Sequence, residues 1–219
     1  MMKQFIPRNL LKSFQRNIYL HRGSRISGLK KHPEEVFTNY KGIKYEDIDS
    51  NTQYINEFLT DKFKIDNKLA LQVITHKSFA NGIKPHNEKL VAMGSRVLNL
   101  FLVKHVTSQQ TTNELAINNQ NLDILGQPFS RELSGRLSLG IFAKVEKLNT
   151  IMFWNTYEHG LSFENSGELK VSANLVYALI GAINFTHGKT VAEEFIKEKV
   201  LPQVEDITKK IFDSEGKVE

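Results

Sequence analysis

The stretch that most constrains this chain is residues 86–106, which reads HNEKLVAMGSRVLNLFLVKHV. We predict one long, largely buried helix there, because its apolar residues cover more than a single stripe. These residues are Leu90, Met93, Val97, Leu98, Leu100, Phe101 and Leu102. Asn87 is expected to cap the helix, with Glu88 in the first turn where the helix dipole favours an acid. Gly94 costs about 1 kcal/mol relative to alanine, which predicts close approach of another backbone.

This stretch resembles the signature helix of the RNase III family. In that family the run Asn-Glu-Arg-Leu-Glu-Phe-Leu-Gly-Asp-Ala-Val-Leu supplies three carboxylates to the active site. Here residues 87–98 keep the scaffold residues and the first acid, Glu88. Val91 replaces the second acid and Ser95 the third. The resemblance therefore implies the family's fold, while two of its three acids on this helix are absent.

Residues 171–185 resemble the family's second site helix, which usually reads Ala-Asp-x-x-Glu-Ala-x-Ile-Gly-Ala. Asn174 stands where the aspartate would be and Tyr177 where the glutamate would be. A face of small residues remains and predicts a close crossing with the first helix. It consists of Ala173, Ala178, Gly181 and Ala182.

Active members of the family hydrolyse phosphodiester bonds of double-stranded RNA with a divalent metal held by these acids. Four of the five acidic positions are replaced here. The five vestigial positions are Glu88, Val91, Ser95, Asn174 and Tyr177. We therefore expect no catalytic residue, no metal site and no cofactor, and we interpret the chain as a pseudoenzyme. The enzymatic alternative needs relocated acids, and Glu158, Glu164 and Glu168 are available for it.

Residues 75–78, Thr-His-Lys-Ser, resemble another block of the family and lie at the end of a helix predicted over residues 67–78 with Asp66 as its cap. His76 and Lys77 could act as a pair near RNA. We favour the other interpretation, in which they are cations at the helix C-terminus. Trp154 likewise could stack on a base, but a place in the core is the favoured interpretation.

Further helices are predicted over residues 51–63, 113–125 and 129–139, the last ending at Gly140. Thr190 to Glu193 has the pattern of a capping box and opens a final helix, interrupted near Pro202. The elements and their order imply an all-α fold, the helical RNase III-like endonuclease domain, over residues 51–211. Residues 34–50 are predicted to be an irregular lead-in and 212–219 a polar tail, which leaves no length for a double-stranded-RNA-binding domain.

Basic charge is concentrated at the N-terminus. Eight of the 29 Lys and Arg residues lie in residues 1–31, where there is no Asp or Glu. The remaining residues carry 21 basic and 24 acidic side chains, so their net charge is −3. This pattern predicts that residues 1–33 are a mitochondrial targeting presequence or, alternatively, a basic arm that binds nucleic acid. The chain has no cysteine, and no membrane span is expected.

Together these features resemble the degenerate RNase III-like proteins of the large subunit of fungal mitochondrial ribosomes. The resemblance implies a structural ribosomal protein in the mitochondrial matrix that contacts ribosomal RNA and large-subunit proteins and has no small-molecule substrate. It also implies a heterodimer with another RNase III-like subunit through the face around Ala92 and Leu98, because Ala92 replaces the phenylalanine that packs across active homodimers. Two alternatives stay open: a non-ribosomal inactive partner of an RNase III-type nuclease, and an active mitochondrial double-stranded-RNA endonuclease.

Overall fold

The computed structural model describes residues 36–39, 41–46, 49–112, 114, 116–120, 122–156 and 160–215. The predicted presequence or arm, residues 1–33, lies outside these residues. The α-helices, in chain order, are α1 Asp49–Leu59, α2 Asn67–Val73, α3 Glu88–Thr107, α4 Pro128–Glu132, α5 Arg136–Val145, α6 Glu168–His187, α7 Lys189–Phe195 and α8 Leu201–Glu215. The described part of the chain contains isolated β-bridges but no β-strand. The predicted all-α class is confirmed.

Helices α3 and α6 cross at the centre of the fold. Each has 20 residues, and α6 is buried along most of its length. A methyl group built on Gly94 would overlap the carbonyl oxygen of Tyr177, and one on Gly181 would overlap that of Leu90. The predicted close approach at Gly94 is therefore confirmed, because only glycine leaves room for the two backbones there.

Helix α3 is less buried than its sequence suggested. Leu90, Leu98 and Leu102 belong to the core, but Met93 is 37% exposed and Leu100 is 47% exposed. The expectation that these two residues are buried is wrong. The apolar surface that makes α3 look central also covers a partly exposed side of the helix, where Asn184 Nδ2 donates to Met93 Sδ at 3.3 Å.

Helix α2 ends earlier than predicted. The carboxylate of Asp66 accepts a hydrogen bond from the Lys68 N–H, as expected for a cap, but the helix stops at Val73 instead of continuing to residue 78. Thr75 forms a parallel bridge with Phe153, with the Phe153 N–H donating to Ile74 and the His76 N–H to Phe153, both at 2.9 Å. The Ile74 carbonyl and the His76 N–H therefore bond to Phe153 instead of continuing the helix.

Asn87 does not cap α3. Its side chain makes no bond to the helix N-terminus, because its Nδ2 donates 2.9 Å to the carbonyl of Val73. Its backbone N–H donates 2.9 Å to the carbonyl of Thr75, and the residue is only 3% exposed. Asn87 thus joins the start of α3 to the end of α2, which fixes the loop between these two helices.

The middle of the chain differs most from the prediction. The described residues between 110 and 121 form turns with bridges that join Gln120 to Gln110 and to Ile117, and Asn118 and Asn119 have positive φ values of 54° and 61°. Asparagine tolerates this conformation, which a helix cannot accommodate. Helix α5 also continues past Gly140, which is buried inside it and whose Cβ would meet the Leu169 carbonyl.

The C-terminal helices differ from the prediction both where they begin and where they end. Helix α7 starts at Lys189 after Gly188, and no side-chain cap is present, so Thr190 lies inside the helix. The interruption predicted near Pro202 is a π-helical turn, Ile196–Val200, directly before α8. A wider turn gives the proline ring space beside the preceding carbonyls. Helix α8 then continues past residue 211 to Glu215.

Helix α6 is long and apolar enough, by length and composition alone, to cross a membrane. In the structure it packs against α3, α5 and α7, and most of its apolar side chains are buried. Its composition is that expected of the central helix of a helical domain. Trp154 is also part of this core, with 5% of its surface exposed, so the base-stacking interpretation is wrong.

Candidate functional site

A pocket of about 430 Å³ opens beside the crossing of α3 and α6. Three segments form its walls. His76, Lys77 and Ser78 follow α2, Asn87, Glu88 and Val91 come from the start of α3, and Lys170 and Asn174 come from α6. The spacings Glu88–Val91 and Lys170–Asn174 each place two side chains on one face of a helix.

The loop after α2 is held against this pocket by several bonds. Ser78 Oγ accepts a 3.0 Å bond from the Asn155 N–H and lies 2.9 Å from Nδ1 of His76. The Ser78 N–H also donates to the same ring nitrogen at 3.2 Å. Nδ1 is therefore an acceptor, and the proton of the neutral ring is on Nε2. Burial, and next the positive charge of Lys170, lower the pKa of His76 below 6.5.

The structure brings only part of the predicted site together. Glu88, Val91 and Asn174 line the pocket, but Ser95 and Tyr177 do not. The Ser95 hydroxyl donates 3.2 Å to the carbonyl of Ala92 on its own helix. The hydroxyl of Tyr177, a buried residue, donates to the carbonyl of Ser134, and burial raises its pKa. At these two positions the hydroxyl groups bond to backbone carbonyls, and neither residue lines the pocket.

Glu88 is the acid that remains, and it is already paired. Its Oε1 lies 2.7 Å from Nζ of Lys77, and its Oε2 lies 3.5 Å from Nε2 of His86. The hydrogen bond from Lys77 is the main cause of the lowered pKa of Glu88. Both partners of the Lys77 pair are more than half exposed, so the pair adds little to stability. Its effect is to neutralise the carboxylate.

The residues present do not fit the metal that the family's active members use. Magnesium is held by carboxylates and water, whereas this pocket offers one carboxylate, bound to a lysine, beside an apolar Val91. Across the described residues no group of three or more His, Asp or Glu side chains could hold a metal ion. Neither Glu164 nor Glu168 lines the pocket, and Asn149 Nδ2 donates 2.8 Å to Glu168. Glu158 lies outside the described residues.

His76 and Lys77 are the residues that the favoured sequence interpretation misplaced. They are not at a helix C-terminus, because α2 ends at Val73. They form one wall of the pocket, opposite Lys170. The resemblance of the Thr-His-Lys-Ser block to the family could have indicated a place at the site. The prediction of a helix up to residue 78 put these residues at a helix end instead.

A second surface, which we call the outer face of α3, lies away from the pocket. It is an exposed strip one helical face wide, because its members recur at helical spacing. It consists of Ala92, Met93, Arg96, Leu100 and Val103. Leu98, which was expected on this surface, is 1% exposed and belongs to the core, so that part of the predicted interface is wrong.

Comparison with known proteins agrees with this architecture. The profile of the family described as Ribonuclease-III-like matches residues 66–204. The large ribosomal subunit protein mL57 of Schizosaccharomyces pombe is 26% identical over 174 residues, covering 75% of this chain and 72% of that protein. The protein of the same name from Neurospora crassa is 24% identical over 142 residues, covering 60% of this chain and 53% of its own length.

Ribonuclease 3 of Pelagibacter ubique is 29% identical over 131 residues, covering 60% of this chain and 53% of the enzyme. The chain thus matches about half the length of the Neurospora and Pelagibacter proteins. The family profile covers well over half of the chain and includes α2 to α7 and the crossing of α3 and α6. On this ground the chain belongs to the ribonuclease-III-like family.

Proposed function

We propose that this protein is a structural constituent of the large subunit of the mitochondrial ribosome and has no nuclease activity. Relatives named as ribosomal proteins and relatives named as ribonucleases match at similar identity, so the names alone do not discriminate. The observation that favours the ribosomal relatives over the nucleases is the composition of the pocket. Helices α3 and α6 cross in close contact beside it. The carboxylate of the pocket, Glu88, is bound to Lys77, and its other walls carry Val91, Lys170 and Asn174.

The chemistry explains why this composition argues against catalysis. Hydrolysis of a phosphodiester by a metal enzyme needs carboxylates that hold the ion and position an activated water. Val91 cannot bind a cation, and Asn174 provides no negative charge. Tyr177 is turned away to Ser134.

Catalytic inactivity is tested with long double-stranded RNA and either Mg²⁺ or Mn²⁺. We expect no cleavage above the level of a Glu88→Ala variant. Metal-dependent turnover by the unaltered protein that Glu88→Ala abolishes would contradict the proposal and revive the endonuclease alternative.

The mitochondrial location rests on residues 1–33, whose eight Lys and Arg residues occur without an acid. We propose import into the matrix, where the ribosome is assembled. A reporter fused behind residues 1–33 is expected to enter mitochondria. A reporter that stays in the cytosol would favour the alternative of a basic arm.

The proposed partner within the subunit is another RNase III-like chain that covers the outer face of α3. Leu100 and Val103 expose 47% and 44% of their surface there, and such an apolar strip favours burial against a partner. Ala92 leaves space for a larger side chain from the other chain, which argues for two different subunits instead of two copies. The non-ribosomal alternative shares this pairing, with an active nuclease as the partner.

Quantitative mass spectrometry of large subunits purified through a different, tagged protein tests both parts of the proposal. We expect about one copy of this chain per subunit. A Leu100→Glu variant is expected to fall well below that level, while Val145→Glu, an equally polar change at a residue of α5 that is 60% exposed, is expected to remain. Absence of the unaltered chain from the subunits would refute the ribosomal proposal. Retention of the Leu100→Glu variant would refute the interface.

A further inference from the structure

The pocket beside the α3 and α6 crossing has an uncompensated positive charge. Its charged walls are Lys77, Glu88 and Lys170. Lys77 and Glu88 neutralise each other at 2.7 Å. His76 is uncharged at neutral pH, since burial and Lys170 lower its pKa below 6.5. The remaining charge of the pocket is therefore that of the Lys170 ammonium group.

Two hydrogen-bond donors of the pocket are not bonded to any residue that the structure describes. Within the described residues, the side chains of Lys170 and Asn174 make no hydrogen bond or ion pair. They are one helical turn apart on α6 and both line the pocket. The nearby acid at the start of α6, Glu168, accepts instead from Asn149 Nδ2. An ammonium group and a primary amide are thus presented together to a ligand.

The chemistry of these donors favours a singly charged ligand rich in oxygen acceptors. A backbone phosphate of RNA carries one negative charge and two free oxygens, and lysines and amide side chains commonly bind such groups. The charge of Lys170 balances that of the phosphate, and Asn174 Nδ2 can donate to its second oxygen. A metal ion does not suit the site, because Glu88 is already neutralised by Lys77.

We propose that this pocket binds one RNA backbone phosphate directly, without a metal ion, through Lys170 and Asn174. This inference rests on the proposed ribosomal function and names one of its RNA contacts. Asn174 stands where the family resemblance puts an aspartate, so an amide beside Lys170 faces the phosphate in place of that acid. The contact holds the RNA and does not cleave it.

The first test is a titration of the full-length, ¹⁵N-labelled protein with inorganic phosphate at pH 7.5 in the presence of EDTA. We expect saturable shifts of the Asn174 side-chain amide signals and of backbone signals around Lys170. Lys170→Gln is expected to weaken this binding at least about threefold. Lys209→Gln, the same change on the exposed surface of α8, is expected to leave it unchanged. A melting curve of each variant confirms that it is folded.

Two results of this titration would contradict the proposal that the pocket binds phosphate. One is the absence of saturable shifts at the pocket. The other is binding that requires Mg²⁺ and is lost in Glu88→Ala, which would indicate a remnant metal site instead.

The second test separates RNA from free phosphate as the source of the ligand. Binding of a 20-base-pair RNA duplex is measured over a range of salt concentrations. Loss of one phosphate contact in Lys170→Gln is expected to weaken binding uniformly and to lower the slope of log K against log salt by about 1. An Asn174→Asp variant, which adds a repelling carboxylate, is expected to bind more weakly still. An unchanged slope in Lys170→Gln would overturn the assignment to RNA even if inorganic phosphate binds.

Failure of this inference is distinguishable from failure of the proposed function. A protein that binds phosphate at Lys170 but is absent from ribosomal subunits refutes the ribosomal role alone. A protein that is present in the subunits but lacks the phosphate response refutes the pocket assignment alone.

Discussion

At the scale of single residues, Gly94 sets how closely α3 and α6 can approach. A Cβ at this position would overlap the carbonyl oxygen of Tyr177 and crowd the backbone nitrogen of Gly181. The obstructing atoms belong to a backbone, so they cannot rotate away as a side chain would. The geometry of the pocket depends on this contact, because Glu88 and Asn174 lie on the same two helices.

We predict that Gly94→Ala lowers the free energy of unfolding by about 1–2 kcal/mol, because a clash with backbone atoms lies toward the upper end of the cost of overpacking. Overpacking costs typically 1–3 kcal/mol, and the better helix propensity of alanine offsets about 1 kcal/mol. Gly126→Ala is the control, since no atom lies within 4 Å of its Cβ position, and it is expected to change stability by less than about 0.5 kcal/mol. Urea denaturation measures both. Equal stability of the two variants would show that the helices do not cross as closely as described.

The half-buried His76 predicts a pH dependence of stability. Because the pKa of His76 is held below 6.5 in the folded state, the unfolded chain takes up a proton first as the pH falls through 6.5. The free energy of unfolding should therefore decrease between pH 7.5 and pH 5.5, and Glu88 does not interfere because its lowered pKa acts below pH 4.5. His76→Gln is expected to reduce this decrease. His187→Gln, at the exposed end of α6, should retain it, and urea unfolding at both pH values decides between these results.

At the scale of elements, the sequence predicts the two long helices and their crossing well. Helices α3 and α6 begin and end within a few residues of the predicted limits, and their small residues meet as expected. These features follow from local composition and periodicity. The end of α2 does not follow from the local sequence, because bonds to Phe153, far along the chain, determine it. The bonds of Asn87 depend on the same loop.

The candidate site divides in the same way. Helical spacing puts Glu88 and Val91 on one face of α3, and both line the pocket, whereas Ser95 does not. The loop residues His76 and Lys77 were assigned to a helix terminus because the helical pattern of residues 67–78 contains no local signal for the bridge to Phe153. The side-chain directions of Ser95 and Tyr177 depend on packing, which spacing alone does not determine.

The link between α2 and α3 gives a prediction at this scale. Asn87→Ala removes the donor to Val73 and leaves a buried carbonyl without a partner, which costs about 1–3 kcal/mol. Asn99→Ala is the matched control, because Asn99 is exposed on the same helix and alanine is the better helix former. We expect a lower unfolding midpoint in urea for the first variant and an equal or higher midpoint for the second. Equal midpoints would contradict the buried role of Asn87.

At the scale of the whole molecule, the chain keeps the fold of the family, while four of the five acidic positions of the family's active site carry other residues. The core and the α3 and α6 crossing are those of a ribonuclease-III-like domain. The pocket beside the crossing carries an acid paired with Lys77 and a lysine, Lys170, that pairs with no described residue, and the outer face of α3 exposes apolar side chains. A metal-dependent nuclease would need free carboxylates in this pocket. In the proposed role, the pocket contacts RNA and the outer face of α3 contacts a neighbouring protein.

The most direct test of this account is sedimentation of the tagged, full-length protein from mitochondrial lysate, first with Mg²⁺ and then after its removal. The account predicts that the protein travels with the large ribosomal subunit, and continues to do so after the two subunits separate. Recovery of the protein at the top of the gradient under both conditions, while large-subunit proteins sediment normally, would contradict the central claim.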